Sequence, residues 1–196
     1  MMNKEKPVLF KQFLIDAIVN GNRFDLNDGN GERLFFKTQT RRNHRLGDVG
    51  DRLWVKEQTI TTSSGQVFYR RDKNYSCADL RSWGNPLFML KKHARIWLEI
   101  IGVRQERLAD ISQEDCFKEG IIQINKLYCF PEYGWESCKN WSGFSKCSNP
   151  QDAFFDLIRF IAGNKKFDSE DWRKKIVWVH DFKLTCSNDL GTRLKK

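Results

Sequence analysis

Apolar residues recur along the chain in two rhythms, and each rhythm predicts a different element. After a short apolar run, Val8 to Phe10, the residues Phe13, Leu14, Ala17 and Ile18 fall on one helix face, and Gly21 is a natural stop. The polar stretch Leu26-Asn27-Asp28-Gly29-Asn30-Gly31-Glu32 reads as a loop or hairpin turn. Two strands are expected next, Leu34 to Arg42 and Arg52 to Gln58, joined through Leu46-Gly47-Asp48-Val49-Gly50-Asp51, which has tight-turn composition. Gly65 joins Ile60-Thr61-Thr62 to Val67-Phe68-Tyr69 in a hairpin. Tyr75 to Pro86 is irregular. Lys91 to Arg107 then supplies a long strand, or a bent pair, through Ile96, Leu98, Ile100 and Val103.

Ser112, followed by Glu114 and Asp115, starts a helix with an acidic first turn that Gly120 ends. Asn125 to Asn149 is aperiodic, aromatic and rich in glycine and cysteine. Asn149-Pro150 opens another helix through Ala153, Phe154, Leu157, Ile158 and Ile161. Ile176 to Leu184 closes the fold as a mostly buried strand. Helices are thus expected near Lys11–Asn20, Gln113–Lys118 and Gln151–Ala162. Strands far apart in sequence with helices between them predict an α+β domain, and many short strands with glycine turns suit a small mixed β-barrel of five to seven strands. With no repeat and no flexible linker, residues 1–196 read as one domain, with a loose tail over 186–196.

Composition narrows the partners. No stretch approaches the roughly 18 apolar residues of a membrane span, and no signal-peptide core follows the first residues, so a soluble cytoplasmic protein with no membrane partner is expected. Lysine and arginine total 34 against 25 acidic residues, a formal charge of +9. That excess steers a protein toward polyanions, in a salt-sensitive way. The basic residues cluster at Arg41, Arg42, His44 and Arg45, at Arg70, Arg71 and Lys73, at Lys91, Lys92, His93 and Arg95, and at Arg173, Lys174 and Lys175. These clusters either converge on one face or solubilise several. Cys129, Cys138 and Cys147 recur every nine residues, but no two of the six cysteines have the two-to-four-residue spacing of a zinc pair. Free thiols, no metal and no cofactor are expected.

The densest polar chemistry lies in Lys37-Thr38-Gln39-Thr40-Arg41-Arg42. A lysine brought toward neutrality by burial can take the proton of a threonine hydroxyl, which makes Lys37 and Thr40 a candidate pair. Residues three apart in a regular strand point to opposite faces. The pair can therefore cooperate only if the strand begins, bends or bulges between them.

That run, together with Gly50-Asp51-Arg52-Leu53-Trp54-Val55-Lys56-Glu57 and Asp110-Ile111-Ser112-Gln113-Glu114-Asp115 with Glu119-Gly120-Ile121, resembles the ASCH family. The likeness extends more loosely from Pro7 to Trp178-Val179-His180-Asp181-Phe182, and is greatest to the longer ASCH proteins of bacteriophages and prophages. It implies a small β-barrel related to the PUA RNA-binding domain. It also implies one of three activities: RNA binding, ribonuclease action, or amide hydrolysis of an acetylated cytidine. By motif position the amidohydrolase branch makes Thr40 the nucleophile, Lys37 its activator and Glu119 the acid–base or orienting group. Arg41 or Arg42 would complement phosphate or a developing oxyanion, with Arg45 and Lys56 in the same basic surface.

The chain departs from the family pattern twice. Phe24 through Phe36 separates Gly21-Asn22-Arg23 from Lys37, an insertion of thirteen residues that could fold as a hairpin over the pocket mouth. A second insertion, 122–149, is absent from the compact amidohydrolases. It holds Trp135 and Trp141, which either stack on unpaired bases or pin a long loop to the barrel. Trp54 and Trp97, in strands, belong to the core. His44, His93 and His180 have no metal-ligand spacing. The expectation is a nucleic-acid-binding module for single-stranded RNA, single-stranded DNA or a modified nucleoside, whose clustered arginines bind micromolar or weaker. The alternatives are an amidohydrolase acting on an N-acylated cytidine, or a metal-independent ribonuclease, in the same cleft.

Overall fold

Five strands taken from both ends and the middle of the chain form one mixed sheet. A computed structural model describes residues 3–26, 31–72, 83–124, 127–130, 147–162 and 170–187. The sheet contains β1 (Glu5–Leu9), β4 (Gln39–Arg42), β5 (Arg52–Lys56), β8 (Ile96–Arg107) and β11 (Ile176–Ser187), in the order β1-β5-β8-β11-β4. Only β1 and β5 run parallel; the other pairs are antiparallel. The α+β class read from the sequence is the class observed. Among the described residues no ladder joins β1 to β4, so the sheet keeps two edges rather than closing into the expected barrel.

Three hairpins stand apart from this sheet: β2 (Asn22–Leu26) with β3 (Gly31–Phe35), β6 (Thr59–Thr61) with β7 (Val67–Tyr69), and β9 (Ile122–Ile124) with β10 (Leu127–Cys129). The insertion before Lys37 does fold as a hairpin. The single strand expected over Leu34 to Arg42 is a correction: β3 stops at Phe35, and β4 begins at Gln39. The long segment 91–107 also divides, into a short 3-10 turn at Lys91–His93 and β8.

Helices α1 (Gln12–Val19), α2 (Gln113–Lys118) and α3 (Pro150–Ala162) lie where apolar spacing and, for α2, the capping signals put them. Phe13, Leu14, Ile15, Ile18 and Val19 of α1 are buried in a core that includes Leu53, Val55, Ile96, Leu98, Ile100 and Phe182. Each such large apolar side chain contributes about 1.5–3 kcal/mol on full burial. The Ser112 hydroxyl caps α2 by accepting from Asp115 N. Gly120 follows with a φ of 105°, a conformation that favours glycine. No helix among the described residues is long and apolar enough to cross a membrane.

A buried ion cluster fastens the β6–β7 hairpin region. Arg95 donates to both carboxylate oxygens of Glu57 at 2.8 and 2.9 Å and to both of Asp72 at 2.9 and 2.7 Å, with its guanidinium 3.8 Å from the Tyr69 ring centre. Burial opposes the charge on Arg95, but the two carboxylates outweigh it and raise its pKa. Of the basic cluster at residues 91–95, Arg95 is therefore internal.

Candidate functional site

The connection 36–38 is pinned from three sides. Lys37 N donates to Ala17 O at 3.0 Å, Thr38 N donates to Lys118 O at 3.0 Å, and Phe182 N donates to Thr38 O at 2.8 Å. These contacts set α1, the end of α2 and β11 around one short segment. The Lys37 side chain then turns inward and is 2 % exposed. Its ammonium donates to Gln39 O at 2.6 Å, Glu119 O at 2.9 Å and Glu119 Oε2 at 2.7 Å. Its three protons are thereby matched by three acceptors. Two of these come from the residue that ends α2, where a cation also complements the helix dipole. Burial lowers the Lys37 pKa, with the Glu119 carboxylate opposing.

Arg41 is equally enclosed. Its guanidinium makes five hydrogen bonds: Nε and Nη2 to Glu106 Oε1 at 2.8 and 2.5 Å, Nη1 to Gln39 Oε1 and Glu119 Oε1 at 2.5 and 3.1 Å, and Nη2 to Asp115 Oδ2 at 3.0 Å. All its donors are committed to the protein. The network continues through Arg104, which donates to Glu106 Oε2 at 3.2 Å, Asp181 Oδ2 at 2.8 Å and Asp115 Oδ2 at 2.5 Å. Gln39 Nε2 closes it on Asp181 Oδ1 at 2.6 Å. Burial pushes the Asp115 carboxyl up, but Arg41 and Arg104 outweigh it and hold the pKa below its ordinary value.

Strand register explains the assembly. Gln39 stands opposite Asp181 and Arg41 opposite Val179, while Asp181 and Val179 stand opposite Gly102 and Arg104. Directly opposed residues share a face. Gln39, Arg41, Arg104 and Asp181 therefore all project from one side of the sheet, toward α2. Thr40 and its partner His180 occupy the other side. The start of β4 between Lys37 and Thr40 meets the condition that strand geometry sets for cooperation. Even so, among the described residues no hydrogen bond links Thr40 to Lys37 or Glu119.

An open groove of about 500 Å³ borders the network, lined by Thr38, Ile101, Gly102, Arg104, Asp115, Lys118 and Asp181. It sits at an irregularity in the β8–β11 ladder, where the register shifts between Asp181 and Phe182. A Cβ on Gly102 would lie 2.8 Å from Asp181 Oδ2. Gly102→Ala should therefore displace Asp181 from Arg104 and lower stability by about 1–3 kcal/mol in urea denaturation. An unchanged midpoint would show that Asp181 moves without cost.

The other expected site residues disperse. Arg42 Nη2 donates to Leu9 O at 2.7 Å, and burial lowers its pKa against Glu119. Arg45 is exposed, paired with Asp48 and 5.1 Å from the Trp178 ring centre. Lys56 Nζ donates to Leu87 O at 2.5 Å on the far side of the sheet. Trp135 and Trp141 lie outside the described residues. Trp54 is buried as expected, while Trp97 is half-buried with Arg52 and Lys91 over its ring. The buried Cys116 thiol is pushed up to about 12 by burial, which leaves it a poor nucleophile at neutral pH.

Gln39, Arg104, Glu106 and Asp181 were missed as site residues. Their signal was the two-residue spacing of polar groups, Gln39 with Arg41, and Arg104 with Glu106 on a strand whose other end is apolar. Comparison with known family profiles, curated proteins and solved structures finds no match.

Proposed function

We propose that the protein is a nucleic-acid-binding module of the ASCH type, in which the groove beside Arg104 receives an unpaired or modified base. The observation that carries this is the meeting of Lys37 and Glu119, 82 residues apart, in one buried pair beside an open groove. The ASCH resemblance gives those two positions to the pocket wall. The groove has two cations, Arg104 and Lys118, against two carboxylates, Asp115 and Asp181. Such a balanced lining suits the donor and acceptor pattern of a neutral base edge better than it suits phosphate. The sheet is then the wall of a PUA-like barrel. In support, the Arg42 bond to Leu9 O ties edge strand β4 to edge strand β1, and Phe10 packs 6.1 Å from Phe182.

Amidohydrolysis is the second reading, favoured by the same Lys37–Glu119 contact. It requires Lys37 to give up an acceptor and Thr40 to reach the substrate, since neither is available in the bonded arrangement. Binding requires neither change, and stands first for that reason.

Fluorescence anisotropy of the protein with labelled single-stranded RNAs, with and without acetylated cytidine, tests the proposal. Micromolar binding that weakens with salt is expected, and Arg104→Ala should reduce discrimination between modified and unmodified strands. No binding to any strand at low salt would remove the module. Release of acetate from the modified strands, lost in Thr40→Ala, would put the hydrolase in its place.

A further inference from the structure

Phe88 is the most exposed large apolar side chain among the described residues, at 81 %, with Leu87 and Leu90 more than half exposed beside it. The turn that presents it is firmly held. Asn85 Oδ1 accepts from Leu87 N and Asn85 O from Phe88 N, both at 3.0 Å. Lys56 Nζ donates to Leu87 O, and the buried Met89 anchors the far side, its sulfur accepting from Glu57 N at 3.0 Å. An apolar ring held rigidly in water has no role in the core of this chain.

Cations follow it closely. Lys91 and Lys92 are exposed; Lys91 pairs with Glu5 and lies 5.9 Å from the Trp97 ring centre, where Arg52 also sits at 4.6 Å. Lys92 makes no ion pair among the described residues. We infer that Phe88 with Lys91 and Lys92 is a docking surface for single-stranded nucleic acid, with the ring stacking on an unpaired base and the lysines meeting its phosphates. The inference rests on the nucleic-acid reading but concerns a different region. The groove belongs to the β8–β11 part of the sheet, whereas this turn is fastened to β5.

Three considerations choose this occupant. A base needs one flat apolar face with a cation nearby, which is the arrangement present, and stacking on an aromatic tolerates any base. A stable protein partner would cover about 800 Å² on each side, more than three side chains supply. A second copy docking face to face would bring two sets of lysines together, and among the described residues the acidic group paired with them is Glu5, already held by Lys91 and Arg52.

Anisotropy with labelled oligouridylate, oligodeoxythymidylate and a duplex RNA provides the test, using wild type, Phe88→Ala, Phe88→Trp and Lys92→Ala. Phe88→Ala should weaken both single strands about tenfold, with Phe88→Trp restoring them and thermal melting unchanged. Lys92→Ala should make the slope of log affinity against log salt shallower by about 0.7. The duplex should bind more weakly than the single strands and ignore Phe88. Wild-type affinity retained in Phe88→Ala would overturn this surface and leave the groove proposal standing. Absence of binding by wild type would remove both. Sedimentation showing a wild-type dimer that Phe88→Ala dissolves would overturn it in favour of self-association.

Discussion

Glu119→Ala should lower the unfolding free energy by about 3–5 kcal/mol, the cost of leaving buried charge without its partner. Glu119 neutralises two cations at once, holding Lys37 through Oε2 and Arg41 through Oε1. Removing it leaves Lys37 with two backbone carbonyls and no carboxylate, in a position 2 % exposed. Arg41 retains Glu106 and Asp115, so its loss is partial. Lys37→Met should cost less, about 1–3 kcal/mol, because Glu119 keeps Arg41 and the main debt is two unsatisfied carbonyls. The double variant Lys37→Met/Glu119→Leu should then be more stable than Glu119→Ala alone, since no unpaired charge stays buried. Urea denaturation followed by tryptophan fluorescence measures all three. A Glu119→Ala cost below about 1 kcal/mol would mean that water reaches Lys37 and that the pair is not closed.

The same residues show what could and could not be read from sequence. Helix positions were legible because their signals are local: apolar spacing at 3.6 residues for α1 and α3, and the Ser112 cap, acidic first turn and Gly120 stop for α2. The break at residues 36–38 was not, because it depends on backbone partners contributed by Ala17, Lys118 and Phe182, remote in sequence. Lys37 stood out among the polar residues of its own segment and Glu119 through resemblance, and the structure brings them within 2.7 Å. Arg41 is read from the resemblance as a complement to phosphate or a developing oxyanion, yet Gln39, Glu106, Asp115 and Glu119 together take every donor. Charge content marks a residue as polar without saying whether its partner is solvent, ligand or another strand. That depends on register, and β4 pairs with a strand about 140 positions away. For the same reason Arg41→Glu would break the interior before it informed on binding. His180 has no metal-ligand spacing in the sequence, and in the structure it is a buried imidazole within β11.

Stability should fall by up to about 3 kcal/mol as pH drops from 6.5 to 4, through His180 alone. The imidazole is fully buried, and its Nε2 accepts from Leu46 N at 3.0 Å, which assigns the proton to Nδ1. That Nδ1 has no hydrogen-bond partner among the described residues. Burial, then the charges of Arg42 and Arg45 and the nearby His44, lower its pKa to about 4 from an ordinary 6.5, with Asp181 opposing weakly. Between those values the unfolded chain binds a proton that the folded one refuses, so stability rises with pH across the window. The contribution is complete above 6.5 and is lost as pH falls through about 4. Protonation would also set Nε2–H against Leu46 N–H, donor facing donor, and release the 43–51 connection from β11. Asp51, lowered by the backbone N–H groups of Asp48 and Lys4, and Asp115 lose their contributions only below the ordinary carboxylate range, so the two windows separate. His180→Gln keeps an acceptor for Leu46 but has no proton to gain. Denaturation at pH 7, 6, 5 and 4 should show a slope in wild type that this variant flattens. An equal slope in both proteins would move the acid sensitivity to another group and leave His180 as a packing residue.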